Sequence, residues 1–227
     1  LFPYTTLFRS PQDSTDADAL LSMADKAMYQ GKMDGGRNFT FYSAEMNVWS
    51  RDRLSTESAL RGALSNGEFE LFYQPQVSLS GRRLVGLESL IRWRRPGFGL
   101  VPPDQFIPAA EESGYIRSIG EWVIREACAQ LARWSAAGLP LVPVAINVSS
   151  RQCGDMAIVG TIRDALANSR LDPRLLKIEL TESTAMQKAE ESLAILNRLA
   201  ELGLGISIDD FGTGYSSLLY LKRFPAN

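Results

Sequence analysis

The sequence predicts an α/β fold with a parallel sheet and crossover helices, closed or open, whose strand ends are what a (β/α) barrel offers. Three observations carry that expectation. From residue 68 onward, short apolar strands alternate with helical stretches in chain order. Each strand has one apolar face and one face that ends in a polar or acidic residue. Those polar residues fall at the C-terminal ends of the strands, where a barrel of this kind gathers its functional groups.

The elements follow in order. Leu1–Ser10 (LFPYTTLFRS) carries no strand or helix pattern and resembles translated sequencing-adapter sequence, so it is set apart as a non-native segment. Asp16 to Gly31 reads as a helix, with Ala19, Leu20, Met23, Ala27 and Met28 on one stripe, Asp16 able to cap and Gly31, Gly35 and Gly36 stopping it. A short strand follows at Asn38 to Tyr42. Asn47 to Gly67 is helical again and serves as a linker into the next domain. The Asn66-Gly67 turn opens the strand Phe69 to Pro75. Further strands are expected at Arg83 to Trp93, Val142 to Ser149, Leu175 to Thr181 and Gly205 to Asp210. Helices are expected around Asp104 to Ala110, Ile119 to Ala137, Ala157 to Ser169 and Ala189 to Leu202. The domain reading is therefore 1–10 set apart, 11–46 the tail of one domain, 47–67 a linker helix and 68–227 the barrel.

Composition narrows the chemistry. The 227 residues hold 24 Lys and Arg against 26 Asp and Glu, a net charge of −2, which offers no basic face for a nucleic-acid polymer. Hydrophobic residues at 45% and charged residues at 22% describe an ordinary folded chain. Cys128 and Cys153 are too few for a disulfide framework, so a reducing, cytoplasmic setting is expected. Histidine is absent, which removes Ser-His and Cys-His nucleophiles and His-ligated zinc. The apolar stretch Ala136 to Val148 is interrupted by Pro140 and Pro143, so no membrane span is expected.

Alternation along the strands then sorts the side chains. Glu88 and Arg92 share a face, opposite Ser89, Ile91 and Trp93. Asn147 opposes Ile146 and Val148; Lys177, Glu179 and Thr181 oppose Ile178 and Leu180; Ser207 and Asp209 oppose Ile206 and Ile208. In a barrel, Glu88, Asn147, Glu179 and Asp209 would converge, with Asp210 beside the last. So many carboxylates in one place need a compensating cation, and an oxygen-only donor set selects a hard ion such as Mg²⁺ or Mn²⁺. The adjacent Asp209-Asp210 pair suits two ions sharing one carboxylate, and Arg92 is placed to hold a phosphate. Strand-end acids also cap helices: Glu182 could simply start one, and Asp209-Asp210 could cap the next.

Six ordered segments then carry a resemblance: Tyr73-Gln74-Pro75-Gln76-Val77; Gly86-Leu87-Glu88-Ser89-Leu90 with Arg92-Trp93; Phe106-Ile107-Pro108-Ala109-Ala110-Glu111; Asn147-Val148-Ser149; Glu179-Leu180-Thr181-Glu182; and Asp209-Asp210-Phe211-Gly212-Thr213-Gly214-Tyr215-Ser216-Ser217-Leu218. Together they resemble the EAL-domain phosphodiesterases of cyclic di-GMP. The signature triplet is Glu-Ser-Leu in place of Glu-Ala-Leu; because Ser89 faces outward, the exchange should be tolerated. The resemblance implies a TIM-like barrel that linearises cyclic di-GMP to pGpG with two Mg²⁺ or Mn²⁺ ions. It implies that Glu88, Asn147, Glu179 and Asp209 hold the first ion, that Asp209 and Asp210 share the second, and that Arg92 and Gln74 contact substrate. Glu182 would steady the loop Phe211 to Ser217 rather than bind metal. Phe106-Ile107-Pro108 reads as a packing turn.

Upstream, Ala24 to Lys32 and Gly35-Gly36-Arg37-Asn38 are similar to the end of GGDEF diguanylate cyclase domains, without the cyclase signature loop. The resemblance therefore implies a piece of a tandem GGDEF-EAL signalling protein, with a sensory domain upstream, a homodimer possible through the EAL domain and any membrane anchor outside this chain. The family's later strands, with their Lys, acidic residue and Gln, are not seen before Asn227, so a C-terminally truncated barrel, five strands of eight and inactive alone, is expected. The alternative is a non-catalytic EAL receptor that binds cyclic di-GMP and signals to a protein partner.

Overall fold

A computed structural model describes residues 6–7, 9–33, 40–43, 55–187, 189–210 and 223–225. Contacts divide the chain into two units, Leu1–Ala59 and Leu60–Asn227.

In the first unit, strand β1 (Thr6–Leu7) pairs in parallel with β2 (Thr40–Phe41), and helix α1 (Ala17–Met33) lies between them in sequence. Asp16 caps α1 as expected, its carboxylate accepting the Ala19 N–H at 2.9 Å. Two expectations are corrected. Leu1–Ser10 does contribute a strand, because backbone pairing to β2 needs no side-chain pattern. The helix also runs through Gly31, whose missing Cβ leaves room for Thr40: a Cβ there would lie 2.9 Å from its hydroxyl oxygen. Gly35 and Gly36 lie outside the described residues.

The linker helix is described from residue 55 as α2, residues 55–63, which spans the junction of the two units in sequence. The second unit has strands β3 (Phe69–Val77), β4 (Leu84–Arg95), β5 (Gly99–Val101), β6 (Val144–Asn147), β7 (Leu176–Thr181) and β8 (Gly205–Asp209). Its helices are α3 (Ile107–Ser113), α4 (Ile116–Ala136), α5 (Ser150–Cys153), α6 (Ala157–Ser169), α7 (Glu182–Gln187) and α8 (Ala189–Glu201). The sheet order is β3-β4-β6-β7-β8, with β5 also paired to β4. From β4 to β8 the strands are parallel, as the alternating pattern requires. The wholly parallel sheet is corrected at its first strand: β3 runs antiparallel to β4, and β4–β5 is a second antiparallel pair. Residues 78–83 are too few for a parallel crossover, which needs about a dozen, so the chain turns back on itself.

The helices cover the apolar strand faces. Ile119, Val123, Ala127 and Leu131 of α4, Ile158, Ile162 and Leu166 of α6, and Ile195, Leu196 and Leu199 of α8 are buried, as are Val144, Ile146, Leu176, Ile178, Leu180 and Ile206 of the strands. An aromatic cluster closes the start of the sheet: the Phe69 ring lies 5.9 Å from Trp93, 5.7 Å from Phe106 and 5.9 Å from Trp122. Phe106 is fully enclosed there, which supports the packing role read for Phe106-Ile107-Pro108. Ser89 lies on the face opposite Glu88, as alternation expects, and is buried there at 4% exposure. Its hydroxyl donates to the Ala145 carbonyl at 2.7 Å, so the polar atom is satisfied beneath the helices. No helix among the described residues is long and apolar enough to cross a membrane.

Two expected outcomes follow from these burials. Ser89→Ala should cost about 0.5–1.5 kcal/mol in denaturant unfolding, the worth of one neutral hydrogen bond. Burial pushes the Cys128 thiol up to about 11 and raises that of Cys153, the latter against a lowering hydrogen bond with Ser192. At pH 8 both should resist a thiol-exchange dye in the native protein and react together once it unfolds.

Candidate functional site

The register of the sheet decides which side chains meet. Gln74 of β3 pairs with Glu88 of β4, and Glu70 with Arg92. Glu88 lies level with Ala145, Asn147 with Glu179, and Thr181 with Asp209. Residues paired across strands point to the same face, so Gln74, Glu88, Arg92, Asn147, Lys177, Glu179 and Asp209 share one side of the sheet. From Glu88 to Asn147 the row climbs two residues, to Glu179 none, and to Asp209 two more. In a barrel of shear eight over eight strands, which shifts by about one residue per strand, a stagger of this size would bring the four side chains to about the same height.

Contacts bind part of the row together. The Asn147 amide donates to Glu88 Oε1 at 2.8 Å. The Lys177 ammonium stands 3.2 Å from Glu179 Oε1, and Glu179 is only 7% exposed. At the end of β8, Asp209 accepts the Asp210 N–H at 2.9 Å, while Asp210 adopts the left-handed region at φ 53°, a conformation Asp tolerates better than most residues. Arg92 stacks over the Phe72 ring at 5.7 Å and donates to its neighbour's carbonyl, Ile91 O, at 2.9 Å.

The EAL-domain family model matches residues 57–227. The chain belongs to the EAL-domain family. Over 217 residues it is 44% identical to the bifunctional diguanylate cyclase/cyclic di-GMP phosphodiesterase MucR of Pseudomonas aeruginosa, covering 96% of this chain and 32% of that protein. It is 40% identical over 215 residues to the cyclic di-GMP phosphodiesterase NbdA of the same organism, covering 95% of this chain and 28% of NbdA. A solved MucR phosphodiesterase structure in complex with c-di-GMP superposes with a TM-score of 0.73 at 47% identity, over 76% of this chain and 70% of that one. The chain thus spans about a third of the length of these curated relatives.

Within this EAL domain the proposed ligand residues are not all drawn into contact. Among the described residues, no three Asp, Glu or Cys side chains form a ready-made cation-binding group. Glu88 meets Asn147, Glu179 meets Lys177, and Asp209 and Asp210 are joined by one backbone hydrogen bond. The donor chemistry nevertheless suits a hard divalent ion, since every donor is oxygen and Glu179 already draws a cation. Glu182 opens α7 and is 1% exposed, consistent with the helix-start reading. Thr181 accepts the Thr184 N–H at 3.2 Å and so caps that turn. The loop Phe211 to Ser217 lies outside the described residues. Glu111, at the end of the third resembling segment, is held above the ordinary carboxylate range by burial, against the lowering pull of Arg151.

Two residues escaped the sequence reading. Lys177 was placed on the right face by alternation but given no role, and its signal was the i, i+2 spacing to Glu179 along one strand. Phe72, 44% exposed beside Arg92, has the same parity as Gln74 and would have been found by it. Asn147→Ala is expected to lower unfolding stability by about 1 kcal/mol or less, since the hydrogen bond it removes from Glu88 is partly open to water. A denaturant titration of the two proteins measures the difference.

Proposed function

We propose that this chain belongs to a cyclic di-GMP phosphodiesterase that opens the cyclic dinucleotide to linear pGpG with two Mg²⁺ or Mn²⁺ ions in bacterial second-messenger signalling. The observation that carries the reading is the staggered row Glu88, Asn147, Glu179 and Asp209 on one sheet face, with Asn147 bonded to Glu88. The names of MucR and NbdA support it. Glu88, Asn147, Glu179 and Asp209 would hold the first ion, and Asp209 with Asp210 the second. When bound, the pair of ions supplies water activation and charge neutralisation at the phosphodiester. Arg92, stiffened by Phe72, holds a substrate phosphate, and Gln74 orients the substrate beside it. Asn147 keeps the Glu88 carboxylate aimed into the site. Glu182, buried at the start of α7, supports the loop from Phe211.

Residues 11–46 are proposed as the end of a GGDEF domain, a reading supported by the match to the bifunctional MucR over nearly the whole chain. A cytoplasmic site of action, an upstream sensory domain and pairing of EAL domains belong to the same proposal.

Chromatographic assay of pGpG formation, on the chain alone and within its full reading frame, tests this. In the active form, Glu88→Gln and Asp209→Asn should lower kcat by about 10³-fold or more, and a chelator should abolish turnover. Arg92→Ala should chiefly raise KM. The ion pair between Lys177 and Glu179 favours one second reading, a receptor that binds cyclic di-GMP without cleaving it. Binding without pGpG in the full reading frame would select it.

A further inference from the structure

We propose that Lys177 is a built-in competitor of the metal at Glu179, a positioning residue that sets how much divalent ion the site needs; this rests on the metal-centre reading above. Glu179 is almost wholly buried, and a carboxylate there must have a counter-charge. Lys177 supplies it from two residues earlier on the same face of β7, with its nitrogen 3.2 Å from Glu179 Oε1 and its side chain 29% exposed.

The neighbouring strand is shaped for this pairing. Lys177 lies opposite Gly205 of β8, and a Cβ on Gly205 would come 3.2 Å from Lys177 Cγ. The missing side chain at Gly205 leaves the aliphatic stem a few tenths of an ångström more room beside β8. A divalent ion taking Glu179 as ligand must therefore displace a cation already seated on it. The site holds its buried charge neutral with or without metal, and occupancy is delayed until the ion outcompetes the ammonium.

Direct binding of Mn²⁺, read from the free-ion electron paramagnetic resonance signal, tests this without reference to turnover. Lys177→Met should bind Mn²⁺ about tenfold tighter than the parent or better, a conservative estimate for losing a neighbouring charge, while Lys177→Arg stays near the parent. In a Glu179→Gln background, Lys177→Met should change nothing. Unchanged or weaker binding by a folded Lys177→Met overturns the proposal, as does tightening that persists without Glu179. The unsubstituted chain gives a second measurement: saturating Mn²⁺ should raise acetylation of Lys177 severalfold in mass-spectrometric footprinting, and an unchanged rate overturns the proposal. If neither the parent nor Lys177→Met binds Mn²⁺, the metal-centre reading fails as well. Normal binding by the parent, equalled by Lys177→Met, overturns only the role of Lys177.

Discussion

The pairing register from β4 to β8 sets Glu88 beside Ala145, Asn147 beside Glu179 and Thr181 beside Asp209. A slip of one residue in any of these pairs would send a polar side chain under the helices and an apolar one into the site. What prevents the slip is the opposite face, where Ile146, Ile178, Leu180 and Ile206 are buried, with α4 packed on β6 and α8 on β8. The hydrophobic burial that holds the second unit together is therefore also what aims the oxygen donors. Each strand can be functional on one side because it is apolar on the other.

That arrangement leaves polar groups in enclosed places: the Tyr73 and Ser149 hydroxyls are buried without a hydrogen-bond partner, while others have an answer nearby. Ser89 gives its proton to the Ala145 carbonyl of the next strand, Glu179 has the Lys177 ammonium, and Trp93 donates its indole N–H to Glu68 at 2.9 Å. Each buried donor left without a partner costs about 1–3 kcal/mol, and a buried charge more. The Glu-Ser-Leu form of the family triplet is thus compatible with this fold because a carbonyl stands within reach, a condition set by β6 rather than by β4 itself.

The face each residue occupies was legible in the sequence because alternation is local: Glu88 with Arg92, and Lys177 with Glu179, follow from spacing alone. The same holds for most helices, with Ala157–Ser169 recovered end to end. What was not legible depends on neighbours distant in the chain. The hydrogen bond of Ser89 depends on the Ala145 carbonyl of β6, and Lys177 has Gly205 of β8 as its cross-strand neighbour. The antiparallel start of the sheet depends on a connection length that alternation does not weigh. Short helices such as α5 and α7 are a single turn or little more, too brief for a hydrophobic period to register. The loop expected to close over the site, Phe211 to Ser217, lies outside the described residues.

The antiparallel joining of β3 to β4 has a consequence for how the site comes together. Parallel neighbours must be brought in across whole helices, from Ser89 to Ile146 or from Glu179 to Ser207. The β3–β4 hairpin closes over residues 78–83 alone, and the entropic cost of closure rises with the length of chain enclosed. Gln74, Phe72, Glu88 and Arg92 are all carried on that hairpin. The groups assigned to grip the substrate thus belong to a part of the sheet that closes locally, whereas Asn147, Glu179 and Asp209 are reached only after long-range strand pairing is complete.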